Sequence, residues 1–233
     1  MEKNETIAYS MKPIARIHTD FPAKFGVPRQ AGLVPELTGT IVFEKEYRVD
    51  AALRGIEQYS HLWLVWAFSE AAREGWSPTV RPPRLGGNTK MGVFATRSPF
   101  RPNPIGLSAV KLEGMERTET CGTVLRVSGA DLMDGTPILD VKPYLPYVDA
   151  IAGASGGFTE RAKRYALRVE FPAELLAEVP CEKRQALLGV LENDPRPSYQ
   201  DDPERLYGFA FAGLEIKFTV EGGALRVRRV EKA

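Results

Sequence analysis

The chain of 233 residues carries 31 Lys and Arg against 30 Asp and Glu, a formal net charge of +1, and 43% of it is hydrophobic. That hydrophobic share supports a packed core, and the balanced charge excludes a polyanion partner drawn by a global field, so any nucleic-acid footprint has to be local. Cys121 and Cys181 stand sixty residues apart with no metal-ligand spacing, the charged start MEKNETIAYS is no signal peptide, and no run reaches the roughly 18 apolar residues of a membrane span, so a cytoplasmic protein is expected.

In chain order, period-two alternation bounded by turn residues predicts strands at MKPIARIHT (11–19), LTGTIVFE (37–44), HLWLVWAF (61–68), MGVFAT (91–96), GLSAVKLEG (106–114), CGTVLRVSGA (121–130) and ILDVKPY (138–144). VDAALRGIEQY (49–59) is the one helical interlude. Short strands with so little helix between them predict a mainly β unit, an antiparallel barrel or sandwich. Two long connections interrupt it, residues 21–36 and 69–90, and loops of that length in a compact domain tend to be functional or disordered. Their aromatics Phe21, Phe25 and Trp76 suit an anchored, functional loop. Small, Gly-rich AIAGASGGFTERAK then reads as a linker, giving boundaries of 1–150, 151–163 and 164–233. The last unit predicts a strand at 165–171, helix over 173–194, a turn, and strands near 206–220 and 224–230, a small α+β domain of antiparallel strands under one helical cover.

The stretch RSPFRPNP (97–104) is the least ordinary. Three prolines in six residues stiffen a connection that carries Arg97 and Arg101, planar cationic donors suited to phosphate, carboxylate or a base edge. From Gly75 to Leu112 the chain holds Arg81, Arg84, Lys90, Arg97, Arg101 and Lys111 and no Asp or Glu, which is either a solvated face or a local anion site. Asp134-Gly135-Thr136-Pro137 is a turn signature, and Asp140 and Lys142 share one strand face, either as a surface ion pair or as part of a polar mouth. DPRPSY (194–199) is a helix stop that also offers Arg196 and Tyr199 to a flat or phosphorylated ligand. The chain has no G-x-G-x-x-G fingerprint, no P-loop and no H-E-x-x-H. His61 leads an apolar strand and suits packing better than catalysis, and neither Ser98 nor Ser108 has a triad suggested by spacing.

FGVPRQAGLV, HLWLVWAF, RPPRLGGNTKMGVFATRSPFRPNPIGLS, DGTPILDVKPYLPY and DPRPSY together resemble the TsaA-like family known as TrmO, densely over residues 10–150 and more sparsely beyond. The resemblance implies a single-sheeted antiparallel β-barrel methyltransferase with few helices. It implies a homodimer that uses S-adenosylmethionine, without a metal, to methylate N6 of threonylcarbamoyladenosine at position 37 of threonine tRNA. Carried onto this chain, the methyl donor meets Ala31, Gly32, Leu33, Ser69, Glu70, the turn from Arg97 to Pro99, Ala109, Ala130, Asp131, Leu132 and Met133. The family loop often has Pro where this chain has Ala31, a change that removes no donor or charge. Arg97, Asp134 and Lys142 become the catalytic candidates, with Asp134 as one carboxylate able to accept the N6 proton. Arg29, Arg84, Arg101, Asn103, Asp194, Arg196 and Tyr199 become the contacts to the tRNA anticodon stem-loop, with no DNA or membrane partner. The alternatives are a non-catalytic nucleotide- or RNA-binding β-barrel and a cofactor-sensing interaction protein, the latter binding the cofactor without transferring its methyl group.

Overall fold

The computed structural model describes residues 8–71, 75–82, 89–161, 166–196 and 202–233. Strands β1 (Ala15–His18), β2 (Thr38–Phe43), β3 (His61–Ala67), β6 (Ile105–Thr118), β7 (Gly122–Ser128) and β8 (Thr136–Pro143) pair in the order β1-β2-β7-β6-β3-β8, and β8 returns to β1 to close a barrel. Every ladder in the ring is antiparallel. Alternation puts Leu62, Leu64 and Trp66 of β3 inside, and Gly106, Ser108 and Val110 of β6 face them from the next strand. Ile17, Ile41, Leu125 and Ile138 complete that interior without measurable exposure. A separate pair joins β4 (Thr79–Val80), within the second long connection, to β5 (Met91–Gly92), just beyond it.

Helices are few and short: α1 (Pro146–Asp149), α2 (Phe158–Arg161), α3 (Ala173–Ala177) and α4 (Cys181–Glu192). None described is long and apolar enough to cross a membrane. The interlude at 49–59 folds as two 3-10 turns, Asp50–Leu53 and Ile56–Gln58, because Gly55 between them sits at φ 90° and breaks the helical path. Likewise 173–194 is two helices, parted at Pro180, and 91–96 leaves the strand after Gly92 for a 3-10 turn at Val93–Ala95.

The second sheet has the order β10 (Tyr207–Phe211), β11 (Leu214–Glu221), β12 (Ala224–Lys232), β9 (Arg168–Glu170). Its hairpins are antiparallel as the turn signals imply, but β9 joins β12 in parallel, since the chain crosses through α3 and α4 before returning. Helix α4 covers this sheet with Ala186, Leu187, Val190 and Leu191. Phe21 and Val34, from the first long connection, and Leu37, just after it, are buried in the same core.

Candidate functional site

Antiparallel pairing sets Ala67, the last residue of β3, opposite Ile105, the first of β6, so both strands open at one end of the barrel. There a cavity of about 490 Å³ is bounded by Trp66 to Glu70, Ile105 to Leu107, Asp131 to Met133, part of the 24–30 loop, and Arg97, Pro99 and Arg101. Its floor is aromatic: the Trp66 and Phe68 rings meet at 4.2 Å. Gly106 makes room for that indole, because a Cβ there would fall 2.1 Å from Trp66 Cε2.

A polar relay runs from the floor to the wall. Trp66 Nε1 donates to Ser108 Oγ at 3.0 Å, and Ser108 Oγ donates to Asp131 Oδ1 at 2.6 Å. Burial pushes the Asp131 carboxyl up, while the Ser108 bond, its own and the Ala31 backbone amides, and the charge of Arg97 pull it down. Ala31 therefore acts through its backbone. Gly32 beside it sits at φ 76° and donates its amide to the Gly129 carbonyl at 2.9 Å, which ties the loop over the segment that leads to Asp131.

Of the residues expected at the methyl donor, Ser69, Glu70, Arg97, Pro99, Asp131, Leu132 and Met133 line this one cavity, together with Arg29 and Arg101. Ala130 is instead buried in the barrel core, and Ala109 stands opposite Trp63 on the neighbouring strand, outside the lining. Leu33, half-buried, and Gly32 also lie outside it. From sequence, Trp66 and Gly106 have no assigned part and Ser108 only that of a triad serine, yet Trp66 and Gly106 line the cavity and Ser108 bonds the Asp131 of its wall. Their signal is Ser108 itself, an inward polar residue on an otherwise apolar alternating face.

Several other expectations change. Arg101 turns back on its own loop, donating from Nε to the Ser98 carbonyl at 3.1 Å and from one terminal nitrogen to those of Val93 (3.2 Å) and Thr96 (2.6 Å). It is the staple of the stiff loop. Arg196 is buried and grips Asp194 in two parallel bonds of 2.9 Å, which fixes the shape of the turn. The Arg196 carbonyl accepts from Arg29 at 3.0 Å, joining the turn to the 24–30 loop. Asp134 accepts from the Thr19 amide and contacts His18 Nδ1, both at 3.1 Å, and is not in the lining. Lys142 is an exposed partner of Asp140 at 2.8 Å, which raises its pKa, and also lies outside. Asn103 is exposed, and its carbonyl takes the Ile105 amide. Arg84 and Tyr199 lie outside the described residues.

The model of the tRNA-methyltransferase O N-terminal domain matches residues 16–150, and that of the TrmO C-terminal domain matches 164–233. The tRNA (adenine(37)-N6)-methyltransferase of Escherichia coli is 38% identical over 232 residues, covering 96% of this chain and 98% of its own. The protein of that name from Eikenella corrodens is 49% identical over 174 residues, 74% of this chain and 97% of its own. A crystal structure of TrmO from Pseudomonas aeruginosa superposes with a TM-score of 0.80 at 34% identity, over 99% of this chain and all of that one.

Proposed function

The chain belongs to the tRNA-methyltransferase O family, and from that premise we propose that it methylates N6 of adenosine 37 in tRNA at the expense of S-adenosylmethionine. The nucleoside acted on is threonylcarbamoyladenosine in the anticodon stem-loop of threonine tRNA, in the cytoplasm, and the working form is a homodimer. Exposed Tyr147, Val148 and Ile151 support such pairing. Residues 1–150 form the methyltransferase domain, 151–163 its linker, and 164–233 assists tRNA binding by bracing the 24–30 loop.

The observation that carries the reading is the cavity beneath the Arg97 loop. Its volume of about 490 Å³ is that of a small-molecule site, and it is apolar at Trp66, Leu107 and Leu132, with the Asp131 carboxylate at one wall. A nucleoside with a cationic sulfonium and an amino group fits that donor set, the anion meeting the positive charge and the aromatic floor meeting the base. S-adenosylmethionine supplies a methyl group already activated by its sulfonium. The protein's own tasks are then placement and drying of the acceptor. Trp66 and Phe68 exclude water from below. Arg97, which donates to the Gln30 side chain, stands at the mouth, where a guanidinium can hold the carboxylate of the threonyl group. Asp131 and Ser108 fix the donor's side of the reaction, and the proton that N6 gives up as the methyl group arrives leaves to a base, for which Asp134 is the carboxylate proposed, although it and Lys142 stand outside this lining.

Transfer of labelled methyl from S-adenosylmethionine to purified threonine tRNA tests the reading. Transfer to tRNA bearing the threonylcarbamoyl group, and little to tRNA from a strain that cannot make it, is expected. Equal labelling of both overturns the substrate assignment. Cofactor binding without any transfer replaces the enzyme by a binding module.

A further inference from the structure

Beside the cofactor cavity lies an open groove of about 1420 Å³ that shares Arg29, Gln30, Arg97 and Pro99 with it. One bank is built from residues 75–82 and 91–100, the other from Ser155 to Thr159. On the first bank the Trp76 and Phe94 rings lie nearly parallel, 23° apart with centroids 6.1 Å from each other. They are 51% and 74% exposed, and neither belongs to a hydrophobic core.

The pair is held in place by its backbone. Ser77 donates its amide to the Phe100 carbonyl at 3.2 Å, and the Val93 amide donates to the Pro78 carbonyl at 3.0 Å, with the Val93 side chain buried. Two large rings kept in water by fixed backbone need a partner with a flat face. The groove's charge says which: among the described residues its lining holds Arg29, Arg81 and Arg97 and no Asp or Glu, and the chain carries no acid anywhere from Gly75 to Leu112. Flat rings with phosphates between them satisfy both features, whereas an apolar protein face would leave three guanidinium groups to be desolvated.

We infer that Trp76 and Phe94 form a stacking platform for the unpaired nucleotides that flank the target adenosine, with Arg81 on their phosphates. This rests on the RNA substrate proposed above. A base that enters the cavity past Arg97 leaves the stack of its loop, and its neighbours lose a π-face on that side. The groove begins at that same arginine, and the open ring faces replace the lost one.

The test uses the full chain, S-adenosylmethionine and an anticodon stem-loop of threonine tRNA bearing threonylcarbamoyladenosine. Trp76→Ala and Phe94→Ala should each raise the RNA Kd and KM about tenfold. Cofactor affinity and kcat should stay within about twofold, and Trp76→Phe should keep most of the binding. The slope of log affinity against log salt should not change in these variants, while Arg81→Ala should flatten it by roughly 0.7. The stem-loop should quench indole emission, and Trp76→Phe should remove the larger part of that quench, leaving the part contributed by Trp66 in the cavity. Unchanged RNA affinity in the doubly substituted protein overturns the platform. So does a shift of oligomeric state at constant RNA affinity, which would assign the rings to a second copy of the chain, or a parallel loss of cofactor binding, which would make them structural. If the wild type methylates no tRNA the enzyme reading fails, yet quenching and affinity still decide the platform.

Discussion

Burial pushes the Asp131 carboxyl above its ordinary value of 3.8, and the Ser108 hydrogen bond opposes but does not cancel this. The folded protein therefore keeps a proton on Asp131 at pH values where the unfolded chain has released it. Stability from this group is fully present below pH 3.8 and is lost as pH rises through the folded value. Asp131→Asn keeps an acceptor for Ser108 and removes the buried charge. Its melting curve should match the wild type below pH 3.8 and lie above it near neutrality, each 1 kcal/mol appearing as about 2–4 °C in a chain of this size. Calorimetry should show S-adenosylmethionine binding lost in the same variant, the expected conflict between stability and function. A wild type that melts higher at neutral pH would show that Arg97 and the amides outweigh desolvation. Asp131 was legible in the sequence only through resemblance, since a carboxylate beside a turn signature says nothing of its burial. Ser108 was legible in principle, as one hydroxyl on an inward face of β6.

At the scale of elements, the loop from Val93 to Arg101 shows what pattern does and does not reveal. Its stiffness follows from the prolines and was readable. The use made of Arg101 was not, because it depends on three carbonyls that converge only once the 3-10 turn at Val93–Ala95 has formed. Arg101→Ala should lower stability by about 1–3 kcal/mol in denaturant titration, as carbonyls lose charged donors, and Lys at 101 should restore little because it lacks the planar fork. The salt slope of tRNA binding should stay as in the wild type, since no phosphate contact is removed. A reduced slope with unchanged stability would return Arg101 to the RNA surface. Elsewhere the inward faces of β3, β6 and β7 were plain from alternation. The breaks at Gly55 and Pro180 were carried by single residues inside otherwise helical spacing, and a periodic signal averages over them.

Across the whole molecule, the segment from Phe21 to Leu37 belongs to two structures at once. Lys24 and Val27 to Gln30 line the cavity at the barrel mouth, while Phe21, Val34 and Leu37 are buried in the core of the second sheet, where Phe21 meets the Phe211 ring at 5.2 Å. Helix α4 comes so near that a Cβ on Gly189 would fall 2.7 Å from Val34 Cγ1. The Asp20–Lys183 pair at 2.6 Å and the Arg29 bond to the Arg196 carbonyl tie the same segment from either side. Composition marks a linker near residue 150, but no local signal shows that a loop ahead of it fills the core of the C-terminal unit, because that contact spans more than a hundred residues. The second unit thus braces one wall of the cavity, and none of its described residues lines it. Phe21→Ala, which touches no cavity residue's side chain chemistry, should cost about 3–5 kcal/mol and melt the chain in one transition at lower temperature. Measured well below that transition, S-adenosylmethionine affinity should also fall several-fold, because the 24–30 loop loses an anchor at its base. Two separate transitions, with only the second shifted and cofactor affinity unchanged, would show the barrel to hold its cavity unaided.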